Sequence, residues 1–192
     1  MKSVCVFCGS SDGARPAYAD AARAFGRMLA VRGLTLVYGG GNVGMMRQLA
    51  DAVLEAGGRV VGVIPEQLVD RERAHRGVSE LRVVGSMHER KALMVALSDA
   101  FIALPGGFGT LDELFEVLTW AQLGLHDKPC ALLNVDGYFD HLVSLVERAR
   151  VDGFIDGTAA MPVIDDNPGR LLDRVIGLSA AATLSTTGAD PQ

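Results

Sequence analysis

The chain lacks the marks of a secreted, membrane-spanning or metal-built protein. Its 192 residues hold three cysteines, Cys5, Cys8 and Cys130, too few and too odd in number for a disulfide framework. Cys5 and Cys8 share a C-x-x-C spacing, but an odd separation along a strand points two side chains to opposite faces. With one further cysteine and no histidine cluster, no tetrahedral metal site can be completed. The thiols are therefore read as small packed hydrophobes, and no metal is expected. Positive charge is also scarce: 18 Lys and Arg stand against 23 Asp and Glu, for a net charge of −5. That balance argues against a nucleic-acid surface held by counterion release. No apolar run reaches the length of a membrane span, and Met1 to Cys8 is too short for a signal peptide. A cytoplasmic protein without a membrane partner is expected.

Hydrophobic residues make up 49% of the chain, enough for one sizeable core. They fall in short apolar runs that alternate with segments of helical period, the pattern of a parallel sheet covered by helices. Strands are predicted at Ser3–Cys8, Thr35–Tyr38, Arg59–Ile64, Leu81–Val84, Ala100–Leu104, Cys130–Asn134 and, at an edge, Met161–Ile164. Helices are predicted at Pro16–Arg32, Met45–Ala56, Met87–Ser98, Leu111–Leu123, Tyr138–Asp152 and Pro168–Leu178. The charged stretch Pro65–Gly77 reads as a mobile loop or short helix at the rim of a site. Residues 1–178 are one domain by this reading. Residues 179–192, rich in Ala, Ser, Thr and Gly without a periodic apolar face, are expected to be a disordered tail.

Three strand ends carry glycine-rich turns: Gly9-Ser10-Ser11, Gly39 to Gly44, and Gly106 to Thr110. Such turns aim free backbone N–H groups and a helix N-terminus at an anion, usually a phosphate. In an open parallel sheet, ligands bind at the carboxyl ends of the strands. The spacing Gly39-x-Gly41-x-x-Gly44 also matches a dinucleotide fingerprint. The following strand runs into Pro65-Glu66 instead of ending on a ribose-gripping acid, however, and no hydride-transfer pair follows. An NAD-dependent oxidoreductase is disfavoured. Arg90, at the start of a helix where the dipole opposes a cation, implies an anionic partner. Glu113 and Glu116 share a face of the helix after the third glycine turn. Carboxylates gain nothing from a phosphate, so they point to chemistry elsewhere on the ligand. His75, His88, His126 and His141 are scattered, and none is assigned a catalytic role.

Pro105-Gly106-Gly107-Phe108-Gly109-Thr110-x-x-Glu113, with Met87-His88-x-Arg90-Lys91 upstream, resembles the Lonely Guy family of cytokinin riboside 5′-monophosphate phosphoribohydrolases. The likeness extends through Glu116 to Gly124, Lys128-Pro129, Leu133 to Tyr138 and the opening Val6 to Ser11, covering roughly Ser3 to Leu178. Members have often been labelled lysine decarboxylases, although no pyridoxal-phosphate lysine with a partner acid is evident here. The resemblance implies a Rossmann-like domain, an open and mostly parallel sheet with helices on both faces, and a homodimer. It implies hydrolysis of the N-glycosidic bond of adenine-type nucleoside 5′-monophosphates, cytokinin riboside monophosphate or AMP, to free base and ribose 5-phosphate, without a cofactor. Arg90 and Glu113 match the catalytic pair. Glu72, Lys91, the loop Gly106, Gly107, Phe108, Gly109, Thr110, Leu111 and Asp112, and Thr119 match nucleotide-binding positions. Gly9, Ser10 and Gly41, from the other two glycine turns, and Glu116, for ribose hydroxyls or a share in the role of Glu113, complete the expected substrate site. The segment Arg73-Ala74-His75-Arg76 is more basic than the family pattern, and Ser86 stands where an acid often precedes Met-His. The alternative on the same fold is a nucleotide or molybdenum-cofactor carrier with its carboxylates idle.

Overall fold

Short runs of Val, Ile, Leu and Phe flanked by glycine and polar turns form strands that are buried on both faces, as a parallel sheet requires. The computed structural model describes residues 1–156 and 161–187. Among these, seven strands form one sheet: β1 (Ser3–Phe7), β2 (Thr35–Tyr38), β3 (Val60–Pro65), β4 (Glu80–Val84), β5 (Phe101–Ala103), β6 (Cys130–Leu133) and β7 (Val163–Asp165). Their spatial order is β4-β3-β2-β1-β5-β6-β7, and every neighbouring pair is parallel. The connecting helices are α1 (Pro16–Val31), α2 (Gly44–Glu55), α3 (Met87–Ala96), α4 (Phe108–Gln122), α5 (Asp140–Val151) and α6 (Pro168–Thr187). The fold is thus a Rossmann-like α/β domain, parallel throughout its described strands.

The two faces of the sheet carry separate cores. On one, Val4, Val6, Leu36 and Ile102 meet Phe25 and Leu29 of α1, Leu49 and Val53 of α2, and Leu171 and Val175 of α6. On the other, Cys5, Phe7, Val37 and Phe101 meet Met94 of α3 and Leu114 and Val117 of α4. Cys5 and Cys8 fall in opposite cores, as their odd spacing predicts. Burial leaves all three thiols free and drives them upward from their ordinary pKa.

The strand order reverses between β1 and β5, so the turns following these two strands stand side by side at the carboxyl end of the sheet. This is the crevice in which open α/β sheets bind ligands.

Most boundaries fall within two residues of expectation, and two differ by three or more. Helix α4 begins at Phe108, with Gly107 as its N-cap, so Gly109 and Thr110 are helical and Glu113 lies in the second turn. Helix α6 does not stop at Leu178 but continues to Thr187. Ala180 to Ala182 are strong helix formers, and Ser179 is buried, so helix replaces the disorder predicted from Ser179 onward. The remainder of that predicted tail, 188–192, lies outside the described residues.

Candidate active site

The three glycine turns converge. The Gly9 N–H donates to Pro105 O at 3.1 Å, joining the turns after β1 and β5. Gly106 has no room for a side chain, because a methyl there would overlap Thr110 and press on the Gly9 nitrogen. Gly44, with φ of +51°, packs its Cα against the backbone of Ser10 and Ser11, which brings the turn after β2 onto the first. Between them opens a cleft of about 290 Å³, walled by Gly9, Ser10, Gly106, Gly107, Tyr18 and Tyr138. Its floor is backbone. The N–H groups opening α4 are helical orphans beside it, and Leu111 N–H is the first to find an intrahelical acceptor, Gly107 O at 3.1 Å. Such an arrangement can hold a phosphate-sized anion. Tyr138 closes one wall: its hydroxyl donates to Gly106 O, and its ring meets Tyr18 edge-on at 5.6 Å. Neither tyrosine belonged to the predicted site. Tyr138 lay within the family likeness, and Tyr18 had no signal beyond an aromatic on a helix.

A second cluster stands beside this cleft. Ser86 caps α3, its hydroxyl accepting from Glu89 N–H at 3.2 Å, and Arg90 leaves the first turn toward the sheet. Arg90 is 4% exposed. Its Nη2 donates to Gly39 O at 2.9 Å and lies 3.4 Å from Glu72 Oε2, while Nε has no partner among the described residues. Gly39 is where a side chain would strike the guanidinium. Glu72 is brought there by the segment Pro65–Gly77, expected to be a mobile loop or a short helix. It contains one helical turn, Glu66–Leu68, and its Glu72, Arg73 and His75 backbone groups bond to Gly40 and Asn42. Gly41 is thereby drawn beneath Glu72 and does not line the cleft, because the Gly41–Ala74 bridge turns it toward the strap.

Glu113 is half-buried on α4 and has no hydrogen bond or ion pair among the described residues. Burial pushes its pKa up to about 7; Arg90 pulls it down, Glu72 and Asp112 push it further up, and Lys91 pulls down. The direct claim of Glu72 on Arg90 explains why one guanidinium does not hold Glu113 in its ionised form. The charge of Glu113 also bears on Cys5 and Cys8, placing its carboxylate over the end of β1 that leads into Gly9. Because Glu113 sits beyond the first helical turn, the dipole does not account for its presence. Burial does.

Lys91 faces α4 and joins Asp112 at 3.2 Å and Glu116 at 2.9 Å. Burial opposes its charge, but the hydrogen bonds and charges of these two acids outweigh that and raise its pKa. Glu116 is thus tied to Lys91, beside Glu113 on the same face. Phe108 projects almost wholly into solvent, Leu111 packs on the second core, and Thr110 is buried against Gly106. Thr119 is exposed and donates to Phe115 O at 2.7 Å; no contact brings it to the glycine turns. Among the described residues, no group of three metal-ligating side chains converges.

A family model described as "Possible lysine decarboxylase" matches residues 46–175. A probable cytokinin riboside 5′-monophosphate phosphoribohydrolase of Oryza sativa subsp. japonica, LOGL9, is 57% identical over 155 residues, covering 81% of this chain and 68% of its own. The Arabidopsis thaliana phosphoribohydrolase LOG3 is 54% identical over 159 residues, covering 83% of this chain and 74% of its own. Among solved structures, the molybdenum cofactor binding protein of Rippkaea orientalis superposes with a TM-score of 0.69 at 25% identity, covering 93% of this chain and 98% of its own. With two glycine turns meeting at the strand switch, Arg90 and Glu113 beside them, and identity above half to these plant relatives, the chain belongs to the Lonely Guy family of cytokinin riboside 5′-monophosphate phosphoribohydrolases.

Proposed function

We propose that this protein hydrolyses the N-glycosidic bond of cytokinin riboside 5′-monophosphates, and of AMP as the plain-adenine counterpart, to free base and ribose 5-phosphate. The observation that carries the reading is Glu113, a desolvated carboxyl without a direct partner, next to a backbone-lined cleft and a buried guanidinium. Cleavage of an N-glycosidic bond builds positive charge on the anomeric carbon. A preorganised carboxylate stabilises that charge and can deprotonate the attacking water. In this arrangement the turns at Gly9-Ser10 and Gly106-Gly107 and the first turn of α4 bind the 5′-phosphate. Glu113 faces the anomeric carbon, Glu116 meets ribose hydroxyls, and Arg90 fixes the geometry between them. Glu72 and Lys91 hold Arg90 and Glu116 in place.

Decarboxylation of lysine would need a deprotonated amine to form a Schiff base. The chain has three lysines. Lys91 is held in ion pairs that favour its charged form, Lys128 donates to Val95 O, and Lys2 lies exposed far from the cleft at the opposite end of β1. A homodimer is part of the proposal. Helix α4 buries only Thr110, Leu114 and Val117 and leaves Phe115 40% exposed, and Leu123 just past its end is 67% exposed, an apolar face suited to a second copy.

Incubating the protein separately with isopentenyl-AMP and AMP, then measuring free base and ribose 5-phosphate, tests the activity. Stoichiometric release of both products is expected. Intact nucleotides in both reactions, with tight binding retained, would instead favour a nucleotide carrier that binds without catalysis.

A further inference from the structure

The segment that delivers Glu72 is fastened at two places. Near the site its ties are backbone: Asn42 N–H donates to Glu72 O at 3.0 Å and to Arg73 O at 3.1 Å, and His75 N–H donates to Gly40 O at 2.8 Å. Farther out the tie is a side chain. His75 is 8% exposed, its Nε2 lies 2.9 Å from Asp51 Oδ1 on α2, and its Nδ1 accepts from Gly77 N–H at 3.3 Å. Because Nδ1 accepts, Nε2 carries the proton given to Asp51. Arg47, one turn before Asp51, lies 3.8 Å from its other carboxylate oxygen and steadies it.

Between these fastenings lies Arg73, a non-glycine residue at φ of 47°. Such a conformation persists only where its surroundings over-determine it. Glu72, the neighbour of this strained residue, has Arg90 as its ion partner. Arg90 in turn reaches Gly39 O. A chain of contacts therefore runs from Asp51 through His75 and the strap to the guanidinium beside Glu113.

We infer that His75 is a positioning residue for the hydrolysis: anchored on Asp51, it holds the strap down so that Glu72 keeps Arg90 fixed against Gly39. The inference rests on the functional reading above. It concerns a side chain outside the cleft, acting through Glu72 alone. The more basic stretch around it finds a use here, since Arg71, Arg73 and Arg76 are exposed and without ion pairs among the described residues. They make the strap a substrate for trypsin once it loosens.

The test is steady-state release of base from isopentenyl-AMP by His75→Ala, His75→Gln, Glu72→Gln and the His75→Ala/Glu72→Gln pair. Small displacements of a catalytic group cost up to about 10²-fold in rate, so His75→Ala should lower kcat by about 10- to 10²-fold, with KM changed much less. His75→Gln retains a donor where Nε2 stands and should recover most of the loss. In the Glu72→Gln background, His75→Ala should cost less than about twofold, because residues acting through one path are not additive. Tryptic cleavage in the strap should accelerate in His75→Ala. Should His75→Ala fail to fold, His75→Asn, which accepts from Gly77 but falls short of Asp51, carries the same comparison. Wild-type kcat in these variants, or a full further loss in the Glu72→Gln background, would overturn the inference. An inactive wild-type protein would instead overturn the functional reading on which it rests.

Discussion

Glu113 is where folding and function oppose each other. Its folded pKa of about 7 lies above the ordinary value of 4.5, so the native state holds a proton that the unfolded chain has released in that interval. The sign follows: ionising Glu113 costs stability, the cost grows as pH rises from the unfolded value through 7, and it is complete above. Glu113→Gln removes that cost. With each pKa unit corresponding to about 1.36 kcal/mol, the variant should be more stable than wild type by about 1–3 kcal/mol at pH 8 and little changed at pH 4.5. Denaturant titrations at the two pH values check this, and equal stability at both would show that Glu113 is not desolvated. Wild-type turnover should fall as pH drops below 7, because the protonated carboxyl cannot stabilise positive charge. Glu72 is subject to the same opposition. Burial raises its pKa, yet its contact with Arg90 pulls the other way.

At the scale of elements, the site depends on turns touching turns. Gly44 opens α2 at φ of +51° with its Cα against the Ser10-Ser11 backbone, where neither partner can yield. Gly44→Ala should destabilise the fold by about 1–3 kcal/mol, the usual range for overpacking and for a side chain at positive φ. Thermal unfolding reads this directly; an unchanged midpoint would mean that the turns are not in contact. Much of this level was legible beforehand. The apolar runs set seven strands in sequence, each followed by a turn, and the three glycine clusters marked the carboxyl ends where ligands bind. What escaped were features set by partners distant in the chain. Nothing local to Gly41 shows that it serves Glu72 instead of the cleft, since that depends on a bridge to Ala74. His75 looked like one scattered histidine because its acceptor, Asp51, lies 24 residues away. The apolar period starts α4 three residues late because Gly109 weighs against helix, while Gly107 in fact caps it. Glu72 could be placed at the site only through the family likeness; its route there is strap geometry.

At the scale of the molecule, the apolar side of α4 continues past its end to Leu125, 67% exposed. If a second copy covers this surface, sedimentation at micromolar concentration should give twice the 20.3 kDa chain mass, and Phe115→Glu should shift the protein toward one. A wild-type monomer would contradict the dimer. The relatives' activity and this chain's own geometry meet in one claim, that Glu113 drives cleavage of a nucleotide held by the glycine turns. The measurement that bears on it most directly compares wild type with Glu113→Gln, following base release from isopentenyl-AMP and nucleotide affinity in parallel. Removing a principal charge-stabilising group costs about 10²–10³ in rate, so turnover should fall by that factor while the dissociation constant stays within a few-fold. Turnover undiminished in Glu113→Gln would contradict the account.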